Sequence, residues 1–198
     1  MVRADSNIQT LDDLSGHTVS IGAEESGTER NATQILEFAG MPSSLVATKN
    51  LDYIEATKEL KAGDIDAFFC TAGLTTTVID EFSKECDIRL IPLTDTVISK
   101  MLESSLAYTS EVIPAGTYTG QTTDISTIGV KSVLITKADV SDDTIEQLTS
   151  LLFEKENEIS YSNSLKLELT YDFATDDIPI PFHDGAKRYY KARGYSTN

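Results

Sequence analysis

The residues of this chain best placed to do chemistry form one loop, Gly22-Ala23-Glu24-Glu25-Ser26-Gly27-Thr28. Before it lies the apolar run Val19-Ser20-Ile21, which reads as a strand. Ser26 and Glu29 have the Ser-x-x-Glu spacing of a capping box, which predicts a helix starting at Gly27. Ala32, Ile35, Leu36 and Ala39 follow at helical intervals, and Gly40 with Pro42 ends the pattern. Unpaired N–H groups and the positive dipole end point outward at such a helix start. The chemistry implied is noncovalent capture of a small anion. Ser26, Gly27 and Thr28 would supply hydroxyls and amides, with Gly22, Ala23 and Glu25 of the same loop also expected at the ligand.

A second corner is Thr71-Ala72-Gly73, which follows a buried strand and precedes another helix. Ligands of open α/β sheets bind at that carboxyl edge of the strands. Tyr118, in a Gly-Thr-Tyr connection, is a third candidate, either closing over a ligand or packing in a hinge.

Bond-making chemistry finds little support. No serine has the Gly-x-Ser-x-Gly context of a nucleophile elbow, and no glycine pattern matches a dinucleotide or phosphate loop. His17 and His183 are the only histidines, and neither has a Cys or His at metal spacing. A chain that is not an enzyme, with no cofactor and no metal, is therefore expected. Acidic pairs such as Asp12-Asp13, Asp142-Asp143 and Asp176-Asp177 are explained by helix starts and solubility. The 32 acidic residues against 16 basic ones give a net charge of −16, which repels phosphate backbones and argues against nucleic acid as a partner. Cys70 closes a strand and Cys86 follows the returning helix, so two free thiols are expected.

Strands are predicted at 18–22, 45–49, 65–70 and 88–93, and helices at 27–39, 53–62, 75–84 and 97–105. Runs such as Ile65-Asp66-Ala67-Phe68-Phe69 are nearly continuous in apolar character, as strands covered on both faces require. The fold class is α/β, an open, mostly parallel sheet flanked by helices. The first nine or so residues read as an extended lead-in, and 109–126 as a long connection. Beyond lie one strand at 128–136 and helices near 142–156, 162–170 and 184–193. One strand makes no sheet alone. Residues 127–198 are thus expected to belong to a lobe whose remaining strands lie outside this chain. An apolar face left uncovered there would favour self-association. No run of 18 apolar residues suggests a membrane span, and Met1-Val2-Arg3-Ala4-Asp5 lacks the core of a signal segment.

Five segments in order resemble the TAXI-type extracytoplasmic solute receptors of TRAP transporters. They are Leu11-Asp12-Asp13-Leu14-Ser15-Gly16-His17-Thr18-Val19, the Gly22–Thr28 loop, Gly63-Asp64-Ile65-Asp66-Ala67-Phe68-Phe69, Ile113-Pro114-Ala115-Gly116-Thr117-Tyr118, and Pro181-Phe182-His183-Asp184-Gly185-Ala186-Lys187-Arg188-Tyr189-Tyr190. The resemblance implies a type II periplasmic-binding-protein fold of two lobes, the second complete here at 9–126 with the main ligand loop and the first partial, 127–198 being its return segment. It also implies an extracytoplasmic receptor that traps a small acidic or zwitterionic solute, glutamate- or glutamine-like or a dicarboxylate, and delivers it to membrane subunits. Glu24 and Glu25 stand where the family carries small or turn-forming residues, which favours a ligand bearing an ammonium group over a plain dicarboxylate. The alternative from another class is a ligand-sensing effector module of a regulatory protein on the same fold.

Overall fold

The computed structural model describes residues 1–154 and 169–197. They divide into two units, Met1–Gly129 and Val130–Asn198.

The first unit is a mixed α/β layer. Its elements run β1 (Val2–Arg3), β2 (Thr18–Ser20), α1 (Gly27–Phe38), β3 (Ala47–Lys49), α2 (Tyr53–Ala62), β4 (Ala67–Phe68), α3 (Thr77–Glu85), β5 (Ile88–Arg89), α4 (Asp95–Ser104), β6 (Tyr108–Ile113) and β7 (Ile125–Val130). Five strands join in the order β3-β2-β4-β1-β5. β2 runs parallel to β3 and to β4, with Val19 opposite Thr48 on one side and Ala67 on the other. From β2 the chain crosses outward to β3, then back over β2 to β4. The sheet therefore has its switch point between β2 and β4, where the loops after both strands open side by side.

Alternation along the strands sorts the core into two layers. Val19, Ile21 and Ala67 pack with Ala32, Ile35 and Leu36 of α1 and Val97 and Met101 of α4. Phe68 and Ile88 turn the other way, onto Ala56 and Leu60 of α2 and Ile79 and Phe82 of α3. Helix ends follow their capping residues. Asp52 and Glu55 form a complete capping box at the start of α2, and Gly63 closes that helix in the left-handed region at φ 82°.

The N-terminus departs from expectation. Residues 1–9 are no lead-in, because Val2–Arg3 lies antiparallel between β4 and β5. Val2 is fully buried and Ile8 nearly so. A strand two residues long has no periodicity to read, and only its long-range partners define it. Arg89 holds the following turn. Its guanidinium donates to the carbonyls of Ala4 at 2.6 Å, Ser6 at 3.0 Å and Ile8 at 3.1 Å.

Residues 109–126 are likewise not all connection, since β6 and β7 form a separate two-stranded sheet. The strand predicted at 128–136 ends instead at Val130, and 131–137 carry no regular structure. Val133, Leu134 and Ile135 have strand propensity, yet they are exposed and take no ladder partner among the described residues. Propensity without a neighbouring strand leaves the backbone unpaired.

The second unit holds α5 (Asp142–Glu154), α6 (Tyr171–Thr175) and α7 (Asp184–Lys191). The predicted helix near 162–170 lies outside the described residues except for 169–170, which are not helical, and residues 155–156 of the preceding one also lie outside them. α6 was not foreseen. The His183-Asp184-Gly185 motif packs the starts of α5 and α7 together. His183 accepts the Gly185 amide at Nδ1, 3.1 Å away, and its Nε2 lies 3.0 Å from the Val140 carbonyl. A Cβ at position 185 would collide with the Asp142 carbonyl. Arg188 then pairs with Asp143 at 2.7 Å and Glu146 at 3.3 Å.

Replacing Arg89 by methionine leaves three carbonyls without their charged donor. Urea denaturation should read a loss of about 2 kcal/mol, since bonds to charged groups contribute ~1.5–3 kcal/mol. Arg89→Lys should recover only part of it, because one ammonium lacks the guanidinium fork.

Candidate functional site

β2 ends at Ser20, and the chain then turns through Gly22 at φ 99°. A Cβ there would stand 2.7 Å from Thr28 Cβ, so only glycine lets the loop close on the helix. Glu25 takes the left-handed conformation at φ 60°. Its amide donates to Glu29 Oε2 at 2.6 Å, while the Glu29 amide donates to Ser26 Oγ at 3.1 Å. The capping box is thus displaced by one residue on its return side, since the Ser26 amide goes to the Ala23 carbonyl at 3.1 Å. Asn50, in the loop after β3, donates to the Gly22 carbonyl at 3.1 Å and to Glu29 Oε1 at 2.7 Å. Both carboxylate oxygens of Glu29 therefore serve as braces for the loop. The side chains of Glu24 and Glu25 are exposed.

What remains open is a set of donors. The amides of Gly27 and Thr28 have no acceptor among the described residues. Ser26 Oγ accepts from Glu29, and its own proton is uncommitted among them. Gly27 and Ala23 are exposed, and Ser26 is half-buried. An open groove beside them is lined by Glu25, Ser26, Glu29, Arg30, Thr33 and Gln34. Arg30 makes no ion pair among the described residues, so its charge is available at the groove.

Thr28 differs from its neighbours. It is 5% exposed, and its hydroxyl turns inward to lie 2.6 Å from the Tyr53 hydroxyl. Tyr53 donates to the Thr71 carbonyl at 2.9 Å and accepts the Thr71 amide at 3.2 Å. One phenolic proton serves one acceptor, so in the Thr28–Tyr53 pair Thr28 is the donor. Asn31 adds a bond to Thr71 Oγ1 at 3.2 Å, and the Tyr108 hydroxyl lies 2.9 Å from Asn31 Oδ1. Burial raises the Tyr53 pKa, against the Thr28 and Thr71 bonds that lower it, so the phenol stays protonated at neutral pH. Cys70 beside it is pushed up to about 11 by burial.

The structure therefore brings the Gly22–Thr28 loop and Thr71 together. Ala72 and Gly73 are exposed and continue from Thr71, but α3 starts only at Thr77, with Leu74, Thr75 and Thr76 between. They form a loop at the carboxyl edge rather than a helix start. Tyr118 is 6% exposed in the core layer under α3. Its hydroxyl accepts the amides of Thr76 and Thr75, and burial raises its pKa. Tyr118 is thus packed into this layer. Sequence reasoning missed Tyr53, Asn50, Asn31 and Tyr108. A signal existed for the first two, because residues 50–53 follow β3 and belong to the same strand edge.

Among the described residues no group of three or more His, Cys, Asp or Glu could hold a metal ion, and no helix is long and apolar enough to cross a membrane. A family model described as the NMT1-like family matches residues 1–194. Among solved structures, the periplasmic aliphatic sulphonate binding protein SsuA from Escherichia coli is similar at 17% identity and a TM-score of 0.39, over 79% of this chain and 45% of that one. The chain thus spans less than half the length of that protein.

Gly22→Ala places a β-carbon against Thr28 in a conformation L-residues avoid. Chemical denaturation should show a loss of about 1–3 kcal/mol. In the folded protein at pH 8, iodoacetamide should modify Cys86 well before Cys70, whose thiol burial holds in the neutral form.

Proposed function

As a member of the NMT1-like family, to which its match over residues 1–194 assigns it, this chain is, we propose, the solute-binding part of an extracytoplasmic receptor. It binds without carrying out a reaction. The observation that carries the reading is the donor set at the start of α1: two free amides and the Ser26 hydroxyl, on the sheet's switch point. Such a set fits a carboxylate, whose oxygens accept and whose charge the helix end favours. Arg30 in the adjoining groove offers a second carboxylate its partner, and the exposed Glu25 offers an ammonium group one. The solute is accordingly a small acidic or zwitterionic molecule, glutamate- or glutamine-like or a dicarboxylate. The ordered resemblance to TAXI-type receptors supports TRAP-type membrane subunits as the partners that take the solute onward.

Glutamate, glutamine and succinate should be titrated against the protein by calorimetry and thermal shift. A true ligand at about 100 times its dissociation constant stabilises by roughly 2.7 kcal/mol. Ser26→Ala should weaken binding about tenfold, the loss of one donor to a charged group at ~1.4 kcal/mol. No stabilisation by any of the three would overturn the reading.

A further inference from the structure

Thr28 and Thr71 lie on different segments, 43 positions apart in the sequence, yet a single oxygen atom holds both. The Tyr53 hydroxyl receives the Thr28 proton across 2.6 Å and the Thr71 amide across 3.2 Å, and gives its own proton to the Thr71 carbonyl across 2.9 Å. All three of its bonding positions are used. Thr28 is the second residue of α1, so pinning its side chain fixes the orientation of the Gly27 and Thr28 amides. Thr71 is the third residue of the loop that runs from Phe69 to Thr76, so pinning its backbone at both polar groups fixes the path of that loop close to where it leaves the sheet.

We propose that Tyr53 is the positioning residue of this site: its hydroxyl latches the α1 start to the β4 loop, so that both walls are set before a solute arrives. Only the purpose of the latch rests on the solute-binding reading above. Thr28 acts through it as the anchor of α1, and the groups left to touch a solute are Ser26 and the two amides. Asn31 reinforces the far side, because its amide holds Thr71 Oγ1 from the next turn of α1. The latch lowers the cost of binding by ordering in advance what the ligand would otherwise have to order.

The test uses Tyr53→Phe, which removes one oxygen atom, Thr28→Val, which removes the other partner at nearly constant shape, their double variant, and Thr28→Ser. Amide hydrogen exchange on the ligand-free protein is the first readout. Tyr53→Phe should speed exchange in both segments, 22–28 and 69–76, and Thr28→Val in 22–28, since the Tyr53–Thr71 bonds survive it; the double should be no faster than Tyr53→Phe. Thr28→Ser, which keeps the hydroxyl, should restore the slow rates. Calorimetry with L-glutamate, well below the unfolding temperature, is the second readout. Tyr53→Phe and Thr28→Val should each weaken binding about tenfold, with no further loss in the double and recovery in Thr28→Ser. A purely stabilising tyrosine would give additive effects, or exchange confined to α2, and either overturns the latch. Should Tyr53→Phe fail to fold, Thr28→Val against Thr28→Ser decides the same question. If the unaltered protein binds no glutamate, glutamine or succinate, the receptor reading fails by itself, and the exchange data still decide whether Tyr53 couples the two segments.

Discussion

Parallel pairing of β2 with β4, Ser20 opposite Phe68, is the constraint on which the rest of the first unit depends. Parallel strands send their carboxyl ends to one edge, so the loops after Ser20 and Phe68 must emerge beside each other. The crossover through α1, β3 and α2 covers both faces, and this lets the strand interiors be apolar on both sides. It also carries the β3–α2 loop with Asn50, and the first residue of α2, Tyr53, to the same edge. β1 then completes the sheet by lying antiparallel between β4 and β5, where Val2 is fully buried. A short strand suffices in that place because Arg89 bonds three carbonyls of the turn behind it.

What could be read from the sequence was local. The start of α1 at Gly27 and the span Tyr53–Ala62 of α2 are specified by Ser26, Asp52, Glu55 and Gly63 within a turn or two of themselves. The positions of Ser26, Gly27 and Thr28 at a helix start follow from the same signals. The direction of the Thr28 hydroxyl does not, because its partner is 25 residues away and reaches it only through the topology. β1 and β6 escaped for the same reason: two residues, or six without apolar–polar alternation, make a strand only beside another strand. Val133-Leu134-Ile135 shows the converse, strong propensity without a described partner.

The motifs behind the family resemblance also differ in what they carry. The Gly22–Thr28 loop presents free donors. The Gly63–Phe69 segment closes α2 and builds β4, with Gly63 needed for its left-handed turn. The segment ending at Tyr118 packs, its phenol taking amides at the start of α3. His183 and Gly185 let α7 dock against α5, where no substituent fits between Gly185 and the Asp142 carbonyl. Folding thus accounts for these last three motifs, and the site reading rests on the Gly22–Thr28 loop.

Capture of an anion by a chain of net charge −16, as proposed above, would set long-range repulsion against short-range donation. Repulsion from distant carboxylates fades over a Debye length of about 8 Å at physiological salt, so it slows approach more than it opposes contact. The decisive charges are those of the loop itself. Glu29 is the nearest carboxylate by sequence to the free amides, and its oxygens are occupied by the Glu25 amide and Asn50. That leaves Glu25, exposed beside Ser26 and without an ion pair among the described residues, as the one loop carboxylate lining the groove that is not used to hold the loop. Donors on one side and an unpaired carboxylate on the other describe a site whose polarity changes sign within a few ångströms. A solute carrying both charges satisfies that pattern with each group, whereas a dianion must turn its second carboxylate toward Arg30 and away from Glu25. On the proposed reading, the choice between the two solute classes therefore comes down to which of these neighbouring side chains a bound molecule would meet.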